Sequence, residues 1–204
     1  MKKINKFLLI ITLLMSVITQ SQTIKDINAF PWAEPGVYYK DLNNVLDPFV
    51  GTYLYNDTAT NTSFKIILQK KLQSSLGYFY QDMLVGAYKY VKNGVVKVDA
   101  ENDLANNYAD GSNHVISGYM ILDGTERGCT DCLPNEKRIY GSINDPNSTG
   151  FVDDLFIRKI TVNNQEAIKI YIHHALEGTR VEGMPTMIIP PGYPVFEEFI
   201  LLKQ

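Results

Sequence analysis

The chain has 204 residues, 45% of them hydrophobic and 20% charged, with a formal net charge of −3, the make-up of an ordinary globular protein. Nineteen Lys and Arg against twenty-two Asp and Glu leave no cationic excess to track phosphates, which excludes a general nucleic-acid binder. The length fits one domain.

Residues 1–21 read as a secretory signal peptide. Lys2, Lys3 and Lys6 precede an apolar run over 7–15 broken only by Thr12, and Thr19 and Ser21 supply small residues for a cut after Ser21. The run is shorter than the roughly 18 apolar residues of a membrane-spanning helix, so a retained anchor is the weaker reading. No Cys lies near the cut, so the exported chain is not expected to be a lipoprotein. A secreted or periplasmic protein without a membrane span after signal removal follows. Residues 22–45 read as an N-terminal lead segment and 46–204 as a single β-barrel domain, with no repeat or linker dividing it.

From there the pattern has period two, and no stretch of a dozen residues carries a helical repeat, which predicts an all-β protein. Phe64, Ile66 and Leu68 share a face opposite Lys65 and Gln69, and Ile168, Ile170 and Ile172 share one opposite Lys169, Tyr171 and His173. Strands are predicted over 49–55, 63–70, 76–80, 83–91, 95–98, 114–122, 138–143, 155–162, 167–173 and 195–202. Asn93-Gly94 suits a type I′ hairpin turn, which needs positive φ at both central residues, and Asn163-Asn164 is read the same way. Between Ile157 and Ile160 the apolar phase slips, which predicts a bulge near Arg158-Lys159. An antiparallel β-barrel is expected because closure removes exposed edges; the alternative is an immunoglobulin-like β-sandwich.

Gly51-Thr52-Tyr53, after a short helical turn over 41–47, resembles the opening of lipocalin-like β-barrels, with Tyr53 in place of the usual Trp. A wider set of residues resembles an uncharacterised family of secreted Bacteroidota proteins, a domain of unknown function. It comprises 48–55, Asp82-Met83-Leu84-Val85-Gly86 with Tyr90 and Asn93-Gly94, and Cys129-x-x-Cys132. The resemblance runs from about Leu46 onward. It implies a secreted, lipocalin-like barrel and carries no activity with it.

Cys129-Thr130-Asp131-Cys132 is the only cysteine pair, and in an exported chain it predicts a local disulfide between Cys129 and Cys132. A redox motif would sit at a helix start, and a structural zinc site would need further ligands that the sequence does not supply, so no metal is expected there. His114, His173 and His174 are the candidates for acid–base chemistry with a carboxylate. Adjacent residues of a strand point apart, so His173-His174 does not make a metal pair, and Asp153-Asp154 and Glu197-Glu198 read as exposed charge. The oxygen-rich run 99–113 lacks the Gly of a calcium loop, Leu104 standing in its place, and reads as a solvated loop. No nucleophile elbow or phosphate loop occurs, and no cofactor is expected.

Thirteen tyrosines are the most suggestive compositional feature, since Tyr offers a ligand both a ring and a polar tip. Tyr78, Tyr80, Tyr88 and Tyr90, at even spacing on neighbouring strands, are the candidate ligand-binding residues, with sheet packing as the competing role. Asp57-Thr58-Ala59 resembles the O-glycosylation acceptor of Bacteroidota, and the proline-rich stretch 184–194 reads as a stiff rim or lid. The expected function is a non-enzymatic exported binding module holding a small apolar or amphipathic ligand at the barrel mouth. The first alternative is a surface interaction or adhesion module, with a filled barrel, for a surface protein or glycan. A hydrolase ranks last.

Overall fold

The computed structural model describes residues 22–29, 33–148, 152–173, 192–195 and 197–204. The expected signal peptide, His174 and most of the proline-rich stretch read as a rim therefore lie outside the described residues. Period-two alternation becomes eleven strands in one sheet, and the only helical elements among the described residues are short 3-10 turns. The strands are β1 (Ile24–Asp26), β2 (Tyr38–Lys40), β3 (Gly51–Asp57), β4 (Thr62–Ser75), β5 (Tyr80–Lys92), β6 (Val95–Asp99), β7 (Ile116–Asp123), β8 (Lys137–Ile143), β9 (Asp153–Val162), β10 (Gln165–His173) and β11 (Glu197–Lys203).

Eight of them form a ring in the order β5–β4–β3–β11–β10–β9–β8–β7, which β7 closes on β5 through the pairs Leu84–Gly118, Val85–Ser117 and Gly86–Ile116. All the ring pairings are antiparallel. This is a closed, lipocalin-like barrel rather than a sandwich. Strand β5 is its hub: β4 occupies one edge, while β2, β7 and β6 take successive parts of the other. Sharing one edge among three partners leaves little of that long strand free to recruit another chain.

The inward faces follow the alternation. Tyr53 of β3 lies opposite Ile66 of β4, which lies opposite Tyr88 of β5, and Ile157 of β9 lies opposite Ile170 of β10, which lies opposite Phe199 of β11. These side chains and their neighbours form one buried cluster, with Phe64, Ile66, Tyr88, Ile116, Ile139 and Ile170 wholly enclosed. Each such side chain contributes about 1.5–3 kcal/mol by leaving water. An eight-stranded barrel is just wide enough to be filled in this way.

Both hairpin turns take the expected form: Asn93 and Gly94 have φ of 53° and 76°, and Asn163 and Asn164 have φ of 51° and 65°. Two local expectations are corrected. Residues 76–79 form the turn between β4 and β5 rather than a strand, because Leu76 N–H bonds Phe79 O and Gly77 has φ of 80°. No bulge occurs at Arg158-Lys159, where β9 pairs without a register shift with both β8 and β10. Ile160 and Val162 simply ride on the outer face, half-buried. Bulges lie instead in β4 between Lys71 and Ser74, in β6 against Tyr90–Val91, and in β7 between Gly118 and Met120.

Residues 22–45 are tied to the barrel by two buried carboxylates. Asp82 of β5 accepts from Tyr38 Oη (2.5 Å) and from the amides of Asp41 (3.0 Å) and Gln73 (2.9 Å). Asp41 accepts from the amides of Val45 and Leu46 and pairs with Lys70 at 2.8 Å. Burial alone would raise the Asp41 carboxyl, but Lys70 and those two amides outweigh it and hold it below its ordinary value of 3.8. A depressed carboxyl contributes stability that is present above that value and lost as pH falls through the lower folded one. Asp41→Asn is therefore expected to flatten the acid limb of a plot of urea-unfolding stability against pH below 3.8. An acid limb identical to that of the parent protein would remove Asp41 from the acid response.

Candidate functional site

Two features on the outside of the barrel have the shape of a site. The larger in lining is a groove of about 470 Å³ on the outer wall of β8, β9 and β10, bounded by the loop that carries Cys129 and Cys132. Its floor is built by register. Alternate residues of a strand face outward, so pairing three strands lays their outward residues in rows. One row is aromatic: Tyr140 opposite Phe156 opposite Tyr171, with ring centroids 5.1 and 6.3 Å apart. The second is cationic: Arg138 opposite Arg158 opposite Lys169. The third is polar: Ser142 opposite Asp154 opposite His173.

Like charges placed directly opposite destabilise a sheet, so the cationic row needs compensation. Arg158 has it in full: its guanidinium grips Glu136 through Nε and Nη2 and donates to Asp131 Oδ2 at 2.7 Å and Asp131 O at 3.1 Å. Hydrogen bonding to Glu136 holds the Arg158 guanidinium above its ordinary value, and Arg158 in turn holds the Asp131 carboxyl below its own. Lys169 pairs with Glu198 at 2.9 Å. Arg138 has no carboxylate within ion-pair range among the described residues; its Nη2 donates to the carbonyls of Gly124 (3.0 Å) and Glu126.

The wall of the groove is the loop between β7 and β8. The disulfide between Cys129 and Cys132 closes its tip, Arg158 clamps Asp131 and Glu136, and Arg138 holds its first carbonyls. Arg127 is kept in a left-handed conformation (φ 50°) and lies over the Tyr140 ring, 4.0 Å from its centroid. Tyr140 donates to Asp154 at 2.7 Å, and burial raises its phenol well above the ordinary value.

The second feature is a depression of about 600 Å³ at the barrel mouth, lined by Tyr90, the β5–β6 hairpin, Gly192, Tyr193 and Pro194. Here the expected exposed acid Asp153 is corrected: it is buried, facing inward, and accepts from Tyr193 Oη at 2.8 Å, while Asp154 faces out. Asp145 accepts from the Gly192 amide at 2.7 Å, so two enclosed carboxylates pin this end of the C-terminal segment. Burial, with hydrogen bonding to Asp153, drives the Tyr193 phenol far above its usual range.

The four candidate tyrosines are not brought together. Tyr80, Tyr88 and Tyr90 all lie on β5, not on neighbouring strands, and Tyr78 sits in the preceding turn with 59% of its surface exposed. Tyr88 packs edge-on against Phe64 and Tyr193, and Tyr90 packs against Phe64. His114 is buried against Asp103 (2.9 Å) and the Tyr108 ring, away from the groove that holds His173. His173 stands 3.9 Å from Asp154. Of the other acids in 99–110, Asp99 pairs with Lys89 and Asp110 caps Ser112. Run 99–113 is thus not merely a solvated loop: it holds two 3-10 turns and supplies the partner of a buried His. The one metal-capable cluster among the described residues, Cys129, Asp131 and Cys132, has its sulfurs joined to each other. Thr58 is exposed on the β3–β4 hairpin.

Together these define a closed antiparallel barrel with a buried apolar core and a charged, aromatic groove on its outer wall. The chain belongs to the family of unknown function DUF6705, whose model matches residues 1–204. No curated protein and no solved structure matches it. Among the described residues no helix is long and apolar enough to cross a membrane, and the disulfide accords with an oxidising compartment.

Proposed function

We propose that this chain is an exported binding module that meets its ligand or partner on the outer wall, in the groove over β8–β10, rather than inside the barrel. The observation that carries the reading is the contrast between the two faces of the same strands. Inward, Ile139, Leu155, Ile157, Ile170 and Ile172 are packed into the core; outward, Phe156 and Tyr171 are half-exposed beside charged groups. Half-exposed aromatic rings with arginine nearby are the residue types that dominate recognition surfaces. The rings are held on paired strands beside a loop stapled by a disulfide and clamped by Arg158, which keeps the ordering cost of binding low.

A second reading, an apolar ligand at the barrel mouth, is favoured by the depression beside Tyr90 and Tyr193. Native mass spectrometry of the protein exported by its own host separates the two. Phe156→Ser with Tyr171→Ser is expected to abolish a non-covalent adduct that Val95→Asp at the mouth leaves intact. The reverse pattern would move the ligand to the mouth. The denatured mass reads two further proposals: loss of residues 1–21, and a sugar on Thr58. A retained leader would overturn export by that signal, and an unmodified mass would remove the sugar.

A further inference from the structure

We infer that the loop side of the groove is an anion subsite, formed by Arg127 and Arg138 at the head of the aromatic row, and that the ligand is a ring compound bearing a carboxylate or similar anionic group. The inference rests on the groove being the binding site and names the chemistry that it takes.

Four cationic side chains line the groove, and they are not equivalent. Arg158 is saturated by Asp131 and Glu136, and Lys169 is paired with Glu198. The other two guanidiniums, Arg127 and Arg138, have no carboxylate partner among the described residues. Arg138 is only 5% exposed, yet its Nε–H finds no acceptor, although its Nη2 is used twice. Arg stays charged under such burial, and a buried charged donor left unpaired is costly, so a retained one calls for an acceptor. Desolvation pulls its pKa down, against the opposing charges of Glu136, Glu126 and Asp131 nearby.

Arg127 lines the same groove. It is exposed, lies over Tyr140, and follows Glu126, whose carbonyl Arg138 holds. Next to this cationic corner, beyond the buried Tyr140 ring that Arg127 covers, Phe156 and Tyr171 line the groove and offer an apolar surface to a ring. The carboxylates that line the groove already have partners: Asp131 is taken by Arg158, Glu198 by Lys169, and Asp154 accepts from Tyr140, while the charges of Glu136, Glu126 and Asp131 reach Arg138 without an ion pair among the described residues. A fork of guanidinium donors beside an aromatic surface suits a planar carboxylate attached to a ring. The ring's own origin, aromatic or sugar, is left to the experiment.

The test uses the exported protein, isotope-labelled, titrated with four probes and followed by amide chemical shifts: benzoate against benzyl alcohol, and glucuronate against glucose. At least one anion is expected to shift amides of 138–140, 154–158 and 169–173 and to bind about tenfold tighter than its neutral counterpart, the worth of one charge-assisted hydrogen bond. Which anion does so assigns the ring as aromatic or sugar. Arg127→Gln, at an exposed position where folding should be untouched, is expected to erase the preference for the anion. Arg138→Lys, which keeps the charge and loses the Nε–H, should do the same. Equal binding of charged and neutral probes in the groove, or a preference that survives Arg127→Gln, would overturn the anion subsite and leave the groove standing. A groove whose amides respond to none of the four would overturn both.

Discussion

Phe64→Ala is expected to cost about 3–5 kcal/mol of unfolding free energy, the largest loss from any single truncation in the barrel. The ring is fully buried, and it stands edge-on to Tyr88, Tyr90 and Phe199 at centroid distances of 5.8, 5.3 and 5.5 Å. Removing it leaves a void bordered by three rings that sit on two different strands and are held by their own register, so little can collapse inward. Urea unfolding should show a lower midpoint with an unchanged slope. Phe64→Leu, which keeps most of the volume, should lose less than half as much. A loss below about 1 kcal/mol for the alanine variant would mean that the interior is loosely packed, and would return the lumen to consideration as a ligand cavity.

Asp82→Ala should have the next largest effect, about 3 kcal/mol, through a different mechanism. Asp82 is 1% exposed, and its carboxylate satisfies three donors from two segments: Tyr38 Oη and the Asp41 amide at β2, and the Gln73 amide of β4. Alanine strands Tyr38 Oη and the Asp41 amide in a buried place and leaves the part-buried Gln73 amide without its acceptor. The damage should be local. Hydrogen exchange is expected to accelerate in β1, β2 and the β4 bulge while β8–β10 stay protected, because the ring pairing of the barrel does not pass through Asp82. Uniform loss of protection would show instead that residues 22–45 and the barrel unfold as one unit.

The architecture was largely legible because it rests on periodicity. Alternation along Phe64-Ile66-Leu68 and Ile168-Ile170-Ile172 marks inward faces whatever the partner strands are, and Asn-Gly or Asn-Asn between two such runs dictates a tight turn. The misreadings came where one residue type serves two contexts. Tyr78 and Tyr80 match Tyr88 and Tyr90 in spacing, but Gly77 breaks the strand before Tyr80, so the even spacing crosses a turn. Asp153 looks like Asp154 in the sequence, and only the packing of Tyr193 above the barrel end makes it a buried acceptor.

The groove shows most plainly how local and non-local information divide. That Lys169, Tyr171 and His173 face away from the core follows from their neighbours in the chain, since a strand turns alternate residues outward. That Arg138, Arg158 and Lys169 form one row, and Tyr140, Phe156 and Tyr171 another, depends on the register of three strands. Shifting one strand by a single residue would turn every side chain to the other face, and shifting it by two would set cations opposite rings. Alternation and turn residues, being properties of neighbouring positions, set the fold class and the disulfide loop. The site was decided by register and by the long-range clamps of Arg138 and Arg158, contacts between residues whose separation in the chain carries no local signal.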